Sequence, residues 1–424
     1  MRLAILFDHL GPYHLARLRA ASRELNLLAV ETRGRSREYA WDPSSEAEPF
    51  ARVTLFEGED TVSPAALGVR LTTVLAAFAP EVVVVPGWSG GAAFLAVAWA
   101  SRHRVPVVVM SESTAHDEAR SPWREAVKRR YVSLAAAALA GGSPHRDYLV
   151  ALGMARDRIF DGYDAVDNET FARESARWRE ADGPQPPYFL ASNRFIPKKN
   201  LPRLLEAYDR QAASPSPTGV PVQPTPPYAF QNPWPLVLLG DGEGKADLLA
   251  RADALGLAVI EGAPWERERS GDEAEDGSSH PTVFFPGFRQ IEELPRFYAH
   301  AGAFVHASTT EQWGLVVNEA MACGLPVLVS NRCGCAPDLV KDGVNGWSFD
   351  PFDADALADL MGRVAALDDT ERDRLGEASR EIIADWGPER FAGGLKAAAE
   401  KALEVGPKRA GLIDRMLLKV LATR

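Results

Sequence analysis

Short apolar runs alternate with amphipathic stretches along most of the chain. Leu3 to Phe7 is continuously apolar, and after a Gly11-Pro12 turn Leu15, Leu18 and Ala21 recur at helical spacing. Similar runs follow at 27–31, 52–56, 81–86, 105–110 and 136–142, with helical stretches between most of them. Val/Leu/Ala strands of this kind, alternating with helices, predict a parallel sheet covered on both faces. The pattern then restarts. A charged helix ending in DGPQPP over 172–186 reads as a linker, and beyond it come apolar runs at Tyr188 to Ser192, 235–244, 282–288 and around Val305. Leu201, Leu204, Leu205 and Tyr208 mark one helix there, 294–300 a second and 315–323 a third. The fold class is α/β with two doubly wound, Rossmann-like domains, 1–172 and 187–386, followed by 387–424.

Composition narrows the functions open to such a chain. Its 424 residues, 46% of them hydrophobic, suffice for two cores. A formal net charge of −11 supplies no broad basic face, which argues against nucleic acid as a partner. Cys323, Cys333 and Cys335 are too few for a disulfide scaffold and lack zinc-like spacing, so no metal is expected and a reducing, cytoplasmic location is. The first apolar run is too brief for a signal sequence. Two segments, the proline-rich 212–235 and the charged 264–281, read as surface insertions. The tail from 406 carries five cations and one acid, with Leu412, Ile413, Met416, Leu417, Val420 and Leu421 available for an apolar stripe. Such a tail either docks on the protein or lies peripherally on an anionic membrane.

Candidate chemistry gathers at the carboxyl ends of the strands, where open α/β sheets bind ligands. In STTEQWGLVVNEAMACGLP, the run around Val305 ends in a polar loop with Glu311, and Gly314 allows close backbone approach at the start of a helix. Unpaired N–H groups there favour an anion such as a diphosphate. Glu311 would face the crevice beside it, and Glu319, more than one turn into the helix, could reach sugar hydroxyls. The plainer alternative makes Glu311 a first-turn helix acid and Glu319 a solvated position. Past Tyr188 to Ser192, Arg194 and Lys199 offer a fork and a point charge to a nucleoside diphosphate, or are simply surface cations. In the first domain, Trp88 and the loop holding Glu112, His116 and Asp117 follow buried strands, and His14 starts the first helix. In the plainer alternative Asp117 caps the next segment, and Glu112 pairs with Arg120 or Arg124.

EQWGLVVNEAMACGLPVLVS followed by DLVKDGVNGWSFDP resembles the donor-site signature of the retaining family-4 glycosyltransferases, whose GT-B fold has two facing Rossmann-like domains with a C-terminal helix crossing back to the first. The resemblance implies a metal-independent, cofactor-free transfer of a sugar from a nucleotide-diphosphate donor to a hydroxyl acceptor. It places Arg194 and Lys199 on the diphosphate, Glu311 on the transferred sugar and Glu319 on the ribose. His116 would contact the sugar, and Gly240, Gly242, Gly314, Leu315 and Val316 would lie along the donor. Gly287, Phe288 and Arg289 match the loop near the base, whereas Gly11, His14, Trp88, Glu112 and Asp117 would face the acceptor. DGYDAVDNETF resembles the family's exit from its first domain, with Tyr163-Asp164 where asparagine-glycine is more usual, and only Gly11 remains of the usual paired glycines in the first loop. An epimerase or hydrolase on the same architecture, or a non-catalytic nucleotide-sugar-binding protein, are the alternatives.

Overall fold

The structure is a computed structural model that describes residues 1–34, 41, 47–58, 62–88, 90–118, 120–213, 233–266 and 281–423. The chain divides into two compact units. The first is built from Met1–Asp167 and Trp386–Arg424, the second from Asn168–Asp385.

In the first unit β1 (Arg2–Phe7), β2 (Asn26–Arg33), β3 (Ala51–Phe56), β4 (Val82–Pro86), β5 (Val107–Ser111), β6 (Ala137–Ala140) and β7 (Ile159–Asp161) form a parallel sheet in the order β3-β2-β1-β4-β5-β6-β7. Successive side chains of β1 point to opposite faces. Ala4 and Leu6 enter one core, with the helices Pro64–Phe78 and Gly91–His103, while Leu3, Ile5 and Phe7 enter the other. Both faces are therefore dry, which is why the strands read as unbroken apolar runs. The second core is closed by the helix Pro388–Val405, through Phe391, Leu395, Ala398, Ala399 and Ala402. Its Gly394 sits so close to the backbone of Asp161 that a Cβ there would meet the carbonyl oxygen at 2.1 Å.

The second unit repeats the plan. β8 (Tyr188–Ser192), β9 (Leu236–Leu239), β10 (Ala258–Glu261), β11 (Thr282–Gly287), β12 (Ala301–His306), β13 (Val327–Ser330) and β14 (Gly346–Phe349) form a parallel sheet in the order β10-β11-β9-β8-β12-β13-β14. In each sheet the strand order reverses beside the unit's first strand, between β1 and β4 and between β8 and β12. At such a switch point the connections leave on opposite sides and open a crevice at the carboxyl ends.

Four short strands were not announced by the sequence pattern: β7, β10, β13 and β14, of three or four residues each. The linker expected over 172–186 is a second correction. Its charged residues belong to the helix Asn168–Asp182, which is bound into the second unit: Arg179 donates to the carbonyls of Ala299 at 2.8 Å and Cys323 at 2.6 Å, and Asp182 pairs with Arg296 and His300. The two expected insertions lie largely outside the described residues. Their described flanks are anchored rather than loose, with Trp234 buried against Phe189 and Trp265 packed on Phe297.

Candidate functional site

The β8/β12 switch point gathers most of the second unit's candidate residues. β8 ends in Ser192, and the chain continues through Asn193 and the half-buried Arg194 into a short 3-10 turn, Pro197–Lys199. This loop is fixed by backbone, since Phe195 N–H donates to Asp241 O at 2.8 Å and Gly244 N–H to Phe195 O at 2.9 Å. Such proximity leaves no room for side chains on the facing loop. A Cβ at Gly240, whose φ is +132°, would meet Asn193 O at 1.9 Å, and one at Gly242 would meet Phe195 backbone at 2.8 Å. Gly240 N–H also donates to Gly287 O at 3.0 Å, so the loops after β8, β9 and β11 form one backbone-bonded ledge. On it Phe288 is partly exposed, and Arg289 is held by Glu266 and Glu293.

Opposite the ledge, β12 delivers His306 and, five residues later, Glu311. Glu311 backbone is stitched to the segment after β13, through Arg332 O at 3.4 Å and Gly334 N–H at 3.0 Å. Its carboxylate is mostly buried and meets Lys199 Nζ, Lys198 Nζ at 3.4 Å and His306 Nε2 at 3.7 Å. Burial alone would raise its pKa. The His306 imidazole and the ammonium groups of Lys199 and Lys198 outweigh that and hold the carboxyl well below the usual range, so Glu311 is ionised. Burial dominates at His306 and lowers its pKa, keeping the ring neutral. Gly314, at φ +106°, begins the helix Leu315–Ala322 beside Glu311, His306 and Cys335, with Leu315 and Val316 half-buried in its first turn. Among the described residues neither amide atom of buried Asn193 and not Nδ1 of His306 has a hydrogen-bond partner.

Glu319 is not the solvated position of the plainer alternative. It exposes none of its surface, and its Oε2 accepts the Tyr298 hydroxyl at 2.7 Å inside the second unit. It sits one residue after Asn318, itself buried and bonded to Trp313 Nε1, on the inward side of a helix that the spacing alone could not orient. Cys323, Cys333 and Cys335 are buried free thiols, and burial pushes Cys323 up to about 12.

In the first unit, candidate residues brace one another. Asp117 accepts Thr114 N–H at 3.1 Å and pairs with Arg120, which also reaches Glu125 and the Tyr148 hydroxyl. Trp88 packs edge-on against Tyr131 and Tyr148, with Lys128 Nζ 5.6 Å from its ring. Glu112 pairs with neither Arg120 nor Arg124: it interacts with the buried Tyr163, whose phenol is pushed up by burial first and by this carboxylate next. His14 is a cap rather than a projecting side chain, its Nδ1 accepting Gly11 N–H at 3.1 Å while its ring packs on Phe7. Burial, Arg17 and His9 lower its pKa. His116 is exposed, and its backbone N–H donates to Thr114 Oγ1 at 3.2 Å.

Several residues of these clusters escaped the sequence reading. Lys198 was hidden by attention to the spacing of its neighbour, although the Lys198-Lys199 doublet announces it. His306 and Glu31 each interrupt or end an apolar run, and a polar residue inside a buried strand must be satisfied by something. Glu31 is fully buried and accepts from Arg52 at 2.7 Å, Thr54 at 2.6 Å and Leu10 N–H at 3.1 Å, which fastens the loop after β1. Arg17, equally buried, donates to Tyr163 O at 2.5 Å and lies over the Tyr163 ring.

Comparison with known proteins finds two family models. The model described as Glycosyl transferase 4-like domain matches residues 13–160, and that described as Glycosyl transferases group 1 matches 257–382. The chain is 33% identical over 146 residues to a GDP-mannose-dependent alpha-(1-6)-phosphatidylinositol monomannoside mannosyltransferase of Mycolicibacterium smegmatis, covering 33% of this chain and 37% of that enzyme. It is 37% identical over 171 residues to the O-antigen chain mannosyltransferase B of Escherichia coli, covering 40% and 35%. The matches thus span little more than a third of those relatives' lengths. In fold, the chain is similar to the Anabaena protein HepE in complex with UDP, with a TM-score of 0.65 and 17% identity over 93% of this chain and 98% of the other.

Proposed function

Because the chain belongs to the family-4 glycosyltransferases of GT-B fold, which use nucleotide-sugar donors, we propose that it is a retaining, metal-independent enzyme transferring a hexosyl group to a hydroxyl acceptor. The acceptor class we assign is a growing polysaccharide or a glycolipid, in line with the two mannosyltransferases it resembles. The observation that carries the reading is the ionised Glu311 held against Lys199 and Lys198 at the β8/β12 switch point.

Departure of a nucleoside diphosphate adds negative charge to the leaving oxygen while the anomeric carbon becomes oxocarbenium-like. Arg194, Lys199 and Lys198, with the first-turn N–H groups at Leu315 and Val316, answer the first charge, and these cations would repel a divalent metal from the same spot. A diphosphate competing for Lys199 loosens its grip on Glu311, whose carboxylate then accepts sugar hydroxyls and faces the developing positive charge. Asn193 and His306 Nδ1 supply unspent hydrogen-bonding capacity beside this path. Retention follows from attack on the face that the diphosphate leaves, with its oxygen taking the acceptor proton. His116, exposed after β5, is assigned to the sugar, and the ledge of Gly240, Gly242, Gly287 and Phe288 to the nucleotide.

The test is calorimetry of uridine, guanosine and adenosine diphosphate sugars with chelator present, on the native chain, Lys199→Ala and Glu311→Gln, followed by the anomeric configuration of the product by NMR. One donor should bind without metal, lose at least about tenfold in affinity in Lys199→Ala, and give product of unchanged configuration. An inverted product removes retention, a strict metal requirement removes the charge argument, and full turnover without acceptor replaces transfer by hydrolysis or epimerisation.

A further inference from the structure

The last helix, Leu412–Leu421, docks on the first unit with one face only. Asp414, Leu418 and Ala422, spaced four apart, are buried. Leu418 and Ala422 join the core beside the helix Gly91–His103, and Ala422 O lies 3.1 Å from where a Cβ on Gly91 would be. Asp414 fixes the start of the helix by accepting from Arg130 Nε at 2.5 Å and Gly411 N–H at 2.8 Å. The other face carries Leu412, Ile413, Met416 and Val420, exposed by 76%, 63%, 63% and 54%. At 100° per residue these four fall within one arc about 100° wide, too much apolar surface for chance scatter. A further exposed apolar residue, Trp123, lies seven residues before Arg130 on the helix Pro122–Val132, hence on the side of that helix that reaches Asp414.

Charge says what covers the ridge. The chain is acidic overall at −11, yet residues 406–424 hold Lys408, Arg409, Arg415, Lys419 and Arg424 against one acid, Asp414, which Arg130 already neutralises. Ala410 N–H donates to Ser101 Oγ at 2.7 Å, which brings the exposed Arg102 and Arg104 beside the same edge. A second copy of the chain would set these cations against themselves across a two-fold axis. We propose that this face is a membrane-docking surface: Leu412, Ile413, Met416 and Val420 enter the acyl boundary of a bilayer while Arg415, Lys419 and their neighbours meet anionic headgroups. With one face of the helix held in the core, the ridge is ordered before it binds, so little ordering entropy opposes insertion. The proposal does not rest on the glycosyltransferase reading.

The test is sedimentation of the full chain with vesicles of phosphatidylcholine alone and of phosphatidylcholine mixed with phosphatidylglycerol, at low and high salt. The native protein should partition onto the anionic vesicles only, and less at high salt. Ile413→Asp with Met416→Asp should cut partitioning by at least about tenfold while leaving the melting curve and donor binding unchanged. Arg415→Glu with Lys419→Glu should weaken binding and flatten its salt dependence. Equal partitioning by the aspartate variant, no binding to anionic vesicles at low salt, or a dimer that the aspartate variant dissociates would each overturn the proposal.

Discussion

The two units share a parallel, doubly wound plan yet use their carboxyl edges differently. In the second, backbone hydrogen bonds and glycines fix the loops, so charged side chains at the switch point are released from structural duty; Glu311, Lys198 and Lys199 bond chiefly to one another, and Asn193 is left unsatisfied. In the first, side chains fix the loops. Glu31 fastens the turn after β1, and Asp117, Arg120 and Tyr148 brace the segment after β5. An edge held by its backbone can keep chemistry in reserve, whereas an edge held by its charges has already committed them.

If this contrast is right, Glu311→Gln should have the largest effect, lowering the rate about 10²–10³-fold while the chain stays folded. The same variant carries a pH signature. Because the folded carboxyl titrates below its ordinary value of 4.5, its pairing stabilises the second unit above that pH and is lost as the pH falls further. Denaturation of the native chain and Glu311→Gln should therefore converge in acid and diverge near neutrality. Next comes Gly240→Ala, whose Cβ would collide with Asn193 O and should cost about 3 kcal/mol in urea unfolding, with donor affinity falling alongside. Gly153→Ala in the first unit, with φ +100° but open space around it, should cost only about 1–2 kcal/mol. Glu31→Gln leaves Arg52 and the Leu10 N–H poorly paired; about 2 kcal/mol of the first unit's stability should go, with donor binding intact. The smallest effect is Asp117→Asn, under about 1 kcal/mol, because the Arg120 pair is partly solvated. A donor-affinity loss in Glu31→Gln as large as that in Gly240→Ala would erase the distinction between the edges.

Several of the elements legible in the sequence are strands buried on both faces. β1, β4, β5, β8 and β12 announce themselves because dry faces demand unbroken apolar runs, and β10, whose residues are half exposed, does not. At the site, spacing located Glu311 and Lys199 but could not reveal that they meet, since contact between residues 112 apart is a property of the strand order. The burial of Glu319 was not legible for a related reason: helical periodicity states which residues share a face, and only packing against Tyr298 states which way that face turns. In the charged helix Asn168–Asp182, read as a linker, Arg179 and Asp182 are instead satisfied by carbonyls, Arg296 and a histidine of the second unit.

The first unit is interrupted: its chain departs after Asp167 and resumes only at Trp386, with Asn168 Nδ2 donating to Ile383 O at 2.8 Å where the outgoing and returning segments pass each other. During synthesis on a ribosome, the amino-terminal part must then wait, one face of its sheet bare of the Phe391 and Leu395 helix, until the entire second unit has been made. A nascent chain halted before Trp386 would present that uncovered face to chaperones, while the second unit, continuous in sequence, would already be free to fold.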